Sequence, residues 1–178
     1  MIDFIKNLFR RRALKKNASS VPTGILPLRE IRSAVALIDV EDPSFDATKA
    51  AIQAFYRSYG IKGEIFFLDF RKLREDERLI TSIQTTVLKK DLNWFGMPGR
   101  EKIRLISGQP VDLFLSLVQQ ADSFPVRFMA TACPARCKVG RAGRGDATFD
   151  IVIQDNPAKA NSQLEIFEEI RALLLKMN

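Results

Sequence analysis

The sequence predicts an α/β fold: a three-layer sandwich on a mostly parallel sheet of about five to six strands, with a basic helix at the N-terminus. Short β-branched apolar runs alternate with segments of helical periodicity along the chain. Two of these runs, 35–40 and 64–70, flank a helical segment, a pattern that favours a βαβ unit with parallel strands. An apolar fraction of 46% over 178 residues is enough for the core of one domain.

The first helix of the domain follows the run 35–40. Ser44 or Asp46 can accept a hydrogen bond from its first-turn amides and so cap it. Gly60 can adopt the left-handed conformation that ends a helix after Tyr59. The strand 64–70 comes next.

The middle of the chain is more polar. Trp94 and Phe95 lie in an aromatic turn and could anchor a partner or be buried beside Pro98. In chain order, the patterns predict a surface helix or loop at 71–84, an edge strand at 85–90, the turn at 93–98, a short helix at 100–107 and a buried strand at 111–117.

The last third of the chain continues the alternation of strands and helices. Ser123 can cap a helix that reaches about Ala135, with Pro125 tolerated in its first turn. The rest is predicted as two short strands at 137–141 and 148–154 around the turn 142–146, then a helix capped by Asn161 or Ser162 and ending at Lys176.

Positive charge is concentrated at the N-terminus. Residues 1–22 hold six basic side chains against the single acid Asp3, so this segment carries +5 of the chain's net +7. We therefore divide the chain into a basic amphipathic arm with its linker, 1–22, and a single α/β domain, 23–178. Such asymmetry predicts an anionic partner for the arm. The six basic residues are Lys6, Arg10, Arg11, Arg12, Lys15 and Lys16.

Residues 1–9 are amphipathic if they are helical, because their apolar side chains fall within an arc of about 160°. The arm could dock on an anionic membrane surface or a protein partner, or grip the phosphates of a nucleic acid. Alternatively, Ile2, Ile5, Leu8 and Phe9 pack on the domain or on a second copy, and the charges are solvated. We favour membrane or protein contact over nucleic acid, and the oligomeric state is left open.

The absence of histidine restricts the chemistry. It excludes Ser-His-Asp and Cys-His nucleophile systems, and Cys133 and Cys137 alone cannot form a four-thiolate zinc site. Both cysteines are expected to be reduced and packed in the core, although Arg136 could lower a thiol pKa. Without a membrane span or signal peptide, we expect a cytoplasmic protein, free or peripheral to a membrane.

Acidic residues end two neighbouring predicted strands. Asp39 and Asp69 could place carboxylates at the carboxyl edge of the sheet, where they could bind Mg²⁺ or a ribose. The simpler interpretation is that aspartate is favoured where a strand turns into a loop. A Gly-rich phosphate loop does not follow the first strand, which weakens the nucleotide hypothesis.

The segment 138–146 contains three glycines and two arginines. Arg141 and Arg144 could bind an anion held in a nest of backbone amides. Because the segment lies between two strands rather than between a strand and a helix, it is not a P-loop. We favour a β-hairpin turn, which explains the glycines without a ligand.

Four short motifs resemble a family of small uncharacterised bacterial α/β proteins. They are residues 90–96 (KDLNWFG), Phe124-Pro125, residues 137–140 (CKVG) and residues 149–153 (FDIVI). The resemblance extends over most of the chain, including the basic N-terminal segment. The family is a domain of unknown function, so the resemblance supports the fold and implies no activity or catalytic residue.

The function that we expect is a non-enzymatic binding or adaptor role, with the arm on an anionic surface or a protein partner. The alternative is an enzyme or sensor that binds a phosphorylated ligand or Mg²⁺ at the carboxyl ends of the strands, through Asp39, Asp69, Arg141 or Arg144. The sequence identifies no cofactor and does not decide whether the protein is an enzyme.

Overall fold

The computed structural model describes residues 1–72, 82–143 and 148–178. The helices of this part are α1 (Ile2–Asn17), α2 (Phe45–Ser58), α3 (Arg100–Ser107), α4 (Phe124–Ala132) and α5 (Gln163–Lys176). The strands are β1 (Ser33–Asp39), β2 (Lys62–Asp69), β3 (Thr86–Leu88), β4 (Val111–Ser116), β5 (Ala135–Arg141) and β6 (Ile151–Ile153). Short 3₁₀ turns precede β1 and follow β3.

The six strands form one sheet in the order β3-β2-β1-β4-β5-β6, and every neighbouring pair is parallel. The α/β fold with a parallel sheet and an N-terminal helix is therefore confirmed. After β1 the chain builds outward to β3 and then returns to place β4 on the other side of β1. This reversal makes the carboxyl ends of β1 and β4 the topological switch point, where sheets of this kind have their crevice.

Two apolar layers cover the sheet because successive side chains of a strand point to opposite faces. In β1, Ala36 and Ile38 join the layer formed with α2 and α5, whereas Val35 and Leu37 join the layer under α1, α3 and α4. Both layers contain fully buried aromatic rings, such as Phe128 on the α4 side. The sheet is thus sandwiched, and α1 belongs to one of its two outer layers.

Local chemistry sets several helix ends. In α5, Ser162 Oγ accepts from Glu165 N at 3.2 Å while Ser162 N donates to the Glu165 carboxylate at 2.6 Å, which is a capping box. Gly60, with φ +64°, ends α2 as predicted. The predicted end of α4 at Ala135 is wrong, because Pro134 cannot continue a helix and α4 stops at Ala132.

The β-hairpin predicted between β5 and β6 is wrong. The two strands are parallel, with Val139 opposite Ile151, so the chain must cross back before β6 begins. Phe149 packs against the α4-side layer and lies directly over Gly140, where a Cβ would come within 2.6 Å of its ring. Burial of this aromatic ring holds the returning segment across the sheet, a non-local effect that the glycine pattern does not reveal.

One prediction falls largely outside the described structure. The surface helix or loop predicted for 71–84 covers residues 73–81, which are not described. The edge strand predicted after it is confirmed as β3, and the short helix predicted at 100–107 is confirmed as α3.

Candidate functional site

Asp39 and Asp69 lie at the same edge of the sheet, at the ends of the neighbouring strands β1 and β2. Asp69 is buried and paired with Arg71, whose Nε and Nη2 donate to its two carboxylate oxygens at 2.9 and 3.0 Å. The alternation of the strands directs Asp39 with Leu37 towards the α4 face and Asp69 with Phe67 towards the α2 face. The two carboxylates thus share an edge without converging on one point.

The environment of Asp39 is acidic. Burial raises its pKa, and the carboxylates of Glu41, Asp42 and Asp69 raise it further, although a hydrogen bond from Glu41 N to Asp39 Oδ1 at 2.8 Å lowers it. In the described part of the chain, no three carboxylate or thiol side chains come together as a metal site would require. Asp39 and the acids around it thus concentrate negative charge at this edge of the sheet.

Asp42 accepts hydrogen bonds from residues at the N-termini of both α2 and α5. Its Oδ1 accepts from Ser44 N at 2.8 Å and Ser44 Oγ at 2.6 Å, and its Oδ2 accepts from Gln163 N at 3.2 Å. Gln163 also clamps the end of β1, since its side chain bonds both Asp39 N and Asp39 O. A helix N-terminus after the first strand is where an external phosphate would sit. Here the protein supplies the anion itself.

Arg141 is buried at the end of β5 and bonds to two loops, the one after β4 and the one between β6 and α5. Its guanidinium donates to Leu117 O at 3.3 Å, to Asn161 O at 2.9 Å and to the Asp155 carboxylate, while its Nε has no partner among the described residues. These bonds occupy most of its donors in the interior of the protein. Arg144, the other arginine of the predicted anion nest, lies outside the described residues.

The second half of α1 is fixed to the domain. Arg10 Nε donates to Phe95 O at 2.8 Å, and its guanidinium lies 5.0 Å from the centre of the Phe124 ring at the start of α4. Phe9 contacts both rings of the aromatic turn, with ring centres 5.3 Å from Trp94 and 5.8 Å from Phe95. The two rings of the aromatic turn differ in exposure, because Phe95 is buried whereas Trp94 is 58% exposed.

The first turn of α1 is largely exposed. Ile2 and Phe4 are 76% and 75% exposed. We name two parts of the outward face of α1. The apolar tip consists of Met1, Ile2, Phe4, Ile5 and Leu8, and the basic band of Arg11, Arg12, Lys15 and Lys16; all nine residues are exposed. At 100° per residue, the basic band continues the side of the helix on which the apolar tip lies.

A cavity of about 350 Å³ lies between α1 and the start of α4, and we call it the arginine cleft. Arg10 and Arg11 contribute from α1 and Arg127 from α4, with Asn7, Phe124 and Asp122 among the other lining residues. A second cavity of about 660 Å³, at the carboxyl ends of β4 and β5, shares Asp122 and Arg127 with it. The two cavities together connect α1 to the carboxyl ends of β4 and β5.

Sequence reasoning did not select Arg127. The available signal was that α4 reads FPVRFMATA, so Arg127 is the only charged residue of an otherwise apolar helix. A charge there, four residues after Ser123, lies in the first turn at the carboxyl edge of the sheet. Its meeting with Arg10 and Arg11 depends on where α1 docks, which no local pattern encodes.

Cys133, Cys137 and Lys138 belong to the core. Both thiols are free and buried, and burial raises the pKa of Cys133 to about 12, so it stays protonated at neutral pH. Lys138 Nζ donates to Ala130 O at 2.6 Å, and burial lowers its pKa. These contacts fit packing rather than thiol chemistry.

In the described residues, no helix has the length and apolarity to cross a bilayer. Residues 4–170 match the sequence model of a family of unknown function, DUF6913, which extends from the first turn of α1 into α5. No curated protein and no solved structure is detectably similar to the chain. The family match covers far more than half of the 178 residues, and the chain therefore belongs to the DUF6913 family.

Proposed function

We propose that the protein is a non-enzymatic membrane-docking module, and that the outward face of α1 contacts the surface of an anionic bilayer. The observation that carries this proposal is the exposure of the apolar tip next to the basic band. Exposed apolar side chains that adjoin cations on one helix face are typical of helices that lie in a membrane interface.

The two parts of this face suit two depths of a bilayer. The apolar tip includes Phe4, whose ring can enter the boundary between head groups and acyl chains. The basic band would then lie at the level of the lipid phosphates, where each basic residue contributes about 1 kcal/mol. A short amphipathic segment binds weakly by itself, so both contributions are needed.

Positive charge continues from α1 onto α3. A cavity of about 460 Å³ between these helices has Arg12, Lys16, Arg100 and Arg104 in its lining. The cations of α3 widen the basic surface beyond the helix that carries the apolar tip. Since α1 is fixed through Arg10 and Ala13, the domain would be held at a defined angle to the membrane.

A membrane accounts for this face better than a second copy of the chain. In a two-fold symmetric dimer with the two α1 helices antiparallel, the basic band of one copy would face the apolar tip of the other, so its cations would lose water without gaining an anionic partner. A nucleic acid would engage the cations but leave the apolar tip in water. An anionic bilayer satisfies both parts at once.

Vesicle co-sedimentation of the full chain tests this proposal. We expect binding to phosphatidylcholine vesicles that contain phosphatidylglycerol, weak binding to phosphatidylcholine alone, and release by high salt. Phe4→Ser should remove most of the binding. Leu175→Ser, which replaces an exposed apolar residue of α5, is the matched control and should bind normally.

Charge is tested in the same assay. Lys15→Glu with Lys16→Glu should abolish binding to the anionic vesicles, whereas Arg57→Glu on the exposed side of α2 should change it little. Equal binding by wild type, Phe4→Ser and the double charge variant would contradict the proposal. Nuclease-sensitive retention on nucleic acid, without lipid binding, would replace it with the nucleic-acid alternative.

A second candidate function is the binding of a soluble phosphorylated ligand at the carboxyl edge of the sheet, beside the switch point. It is favoured by the strand order, which is that of doubly wound dinucleotide-binding sheets, and by the 660 Å³ cavity at the ends of β4 and β5. Ser116 Oγ, at the end of β4, is buried and has no hydrogen-bond partner in the described part of the chain. A thermal shift with nucleotides, sugar phosphates or Mg²⁺ would support this function, and the absence of any shift would contradict it.

A further inference from the structure

We propose that the arginine cleft binds the terminal phosphate of a phosphomonoester, and that on a membrane this group is a lipid head group such as that of phosphatidic acid. This inference rests on the proposed function, because docking through α1 is what brings lipid head groups to the mouth of the cleft. It adds a selective site to a surface that would otherwise respond only to charge density.

Three cations from two elements line the cleft. Arg10 is held by its bond to Phe95 O and its stacking on Phe124, so its guanidinium is already in place before a ligand arrives. Arg11 lies on the next position of α1 and Arg127 faces it from α4. In the described structure, Arg10 and Arg11 have no carboxylate partner. Arginine suits this task because its planar fork matches the oxygens of phosphate.

The start of α4 adds donors to these cations. The first amides of a helix have no partner within it, and α4 is nine residues long with no side-chain cap from Ser123. In α4 these amides are Phe124 N and Val126 N, since Pro125 has no N–H and Arg127 N donates to Ser123 O. The helix dipole places partial positive charge at the same end. Phe124 and Arg127, from the first turn, both line the cleft. A phosphate there would meet guanidinium groups and the positive end of a helix together.

Asp122 is the one acid in the lining of the cleft. It lies just before α4 and is exposed. The charged residues described in the lining are therefore three arginines and one carboxylate, and positive charge prevails. Removal of this carboxylate, in Asp122→Asn, should tighten phosphate binding. The opposite change at the N-cap, Ser123→Asp, should cap α4 with the protein's own carboxylate and compete with the ligand.

The test compares two anionic lipids on the full chain. Vesicles of phosphatidylcholine with phosphatidic acid, a phosphomonoester, are matched in surface charge to vesicles with phosphatidylglycerol, a phosphodiester. We expect at least about tenfold tighter binding to phosphatidic acid, since a terminal phosphate offers three oxygens and a second negative charge. Equal binding to the two would overturn the cleft inference and leave the proposed function standing. Binding to neither would overturn both.

Variants locate the preference. Arg11→Gln should lower binding to phosphatidic acid by about tenfold more than Lys15→Gln does, although both remove one charge from the outward side of α1. Lys15 lines neither cavity of α1. Arg104→Gln, in the cavity on the α3 side, should keep the preference. Loss of the preference in Arg104→Gln but not in Arg11→Gln would overturn the assignment to this cleft.

The variant Ser123→Asp separates a loss of lipid preference from a loss of folding. An aspartate cap should raise the melting temperature, so this variant should be better folded and yet lose the preference for phosphatidic acid. A stabilised Ser123→Asp protein that keeps the preference would contradict a role for the α4 terminus.

A titration with a soluble phosphomonoester distinguishes a lipid head group from a free phosphate. Glycerol 3-phosphate, titrated by calorimetry, should bind the wild-type chain and bind Arg127→Gln at least about tenfold more weakly if the cleft recognises the phosphate itself. Binding of the soluble ester with no preference between the lipids would assign the cleft to a free phosphomonoester and overturn the lipid assignment. Soluble binding that Arg127→Gln does not weaken would overturn the cleft.

Discussion

Two groups of helix N-termini lie at the carboxyl edge of the sheet, and the chain treats them in opposite ways. At α5, Asp42 and Ser44 accept hydrogen bonds from the first-turn amides of Gln163 and Leu164, and at α2 Asp42 accepts from the amide of the N-cap residue Ser44, so the protein itself supplies these acceptors. At α4, Ser123 makes no such bond, and Arg10 and Arg127 line a cavity beside it. On one side of the sheet the protein's own side chains thus satisfy the helix N-terminus, whereas on the other side arginines surround it and leave the edge positively charged.

Loss of Asp42 should have the largest effect, because it acts on the side where the protein's own side chains satisfy the helix N-terminus. Asp42→Ala leaves the amides of Ser44 and Gln163 without their acceptor, and we expect the free energy of unfolding to fall by about 2 kcal/mol. Denaturant unfolding measures the change. Asp46→Ala, one turn along and exposed, should cost only about 0.3–0.5 kcal/mol and is the control. Equal losses would show that Asp42 acts only through its charge.

The positively charged side is tested by detaching α1. Arg10→Ala removes the bond to Phe95 O and the cation–π contact with Phe124, and should cost about 1–1.5 kcal/mol. Arg10→Lys should recover part of this lost stability, because lysine keeps the positive charge but lacks the planar guanidinium group. Arg11→Ala replaces an exposed side chain and should stay within about 0.5 kcal/mol of wild type by thermal unfolding. Were Arg11→Ala as damaging as Arg10→Ala, α1 would not be held through Arg10.

A pair of serine variants sharpens the comparison directly. Ser162→Ala breaks the capping box of α5 and should cost about 1 kcal/mol. Ser123→Ala removes a hydroxyl that caps nothing on α4 and should change stability by less than about 0.3 kcal/mol. Melting temperatures of the two proteins under one condition decide between them. Similar losses would mean that α4 is capped in solution, and the contrast between the two sides would fail.

The smallest effect concerns pH. Because the folded protein raises the pKa of Asp39, its neutral form is favoured in the fold, and the ionised form costs stability once the pH exceeds the folded pKa. Asp39→Asn should therefore stabilise at neutral pH, by roughly 0.3–0.5 kcal/mol after allowance for solvent screening. The gain should vanish below the ordinary aspartate pKa of about 3.9.

Asp112 is the control for this pH effect. Burial acts to raise its pKa, but bonds from Arg32 N, Arg136 and Ser33 outweigh burial and lower it. Asp112→Asn should therefore destabilise at neutral pH, and the loss should shrink as the pH falls through the lowered pKa. Unfolding curves at neutral and acidic pH distinguish the two signs. A gain for Asp39→Asn that persists in acid would point to packing rather than charge.

The sequence by itself determined the elements. Periodicity predicted the βαβ unit, Gly60 predicted the end of α2, and Asn161 or Ser162 predicted the start of α5; these signals are local, since each depends on neighbours within one or two turns. It also placed Asp39 and Asp69 at strand ends, and parallel pairing brings those ends to one edge.

Only the tertiary structure decided how distant segments meet. It directed Asp39 and Asp69 to opposite faces, made β5 and β6 a parallel pair where a hairpin was expected, and tied the end of β5 to two loops through Arg141. It also set Arg10 on α4, which exposes the apolar tip of α1 and forms the arginine cleft with Arg127. The physical reason is that packing of rings and desolvation of charges depend on contacts between residues far apart in the chain, and these leave no periodic trace in it.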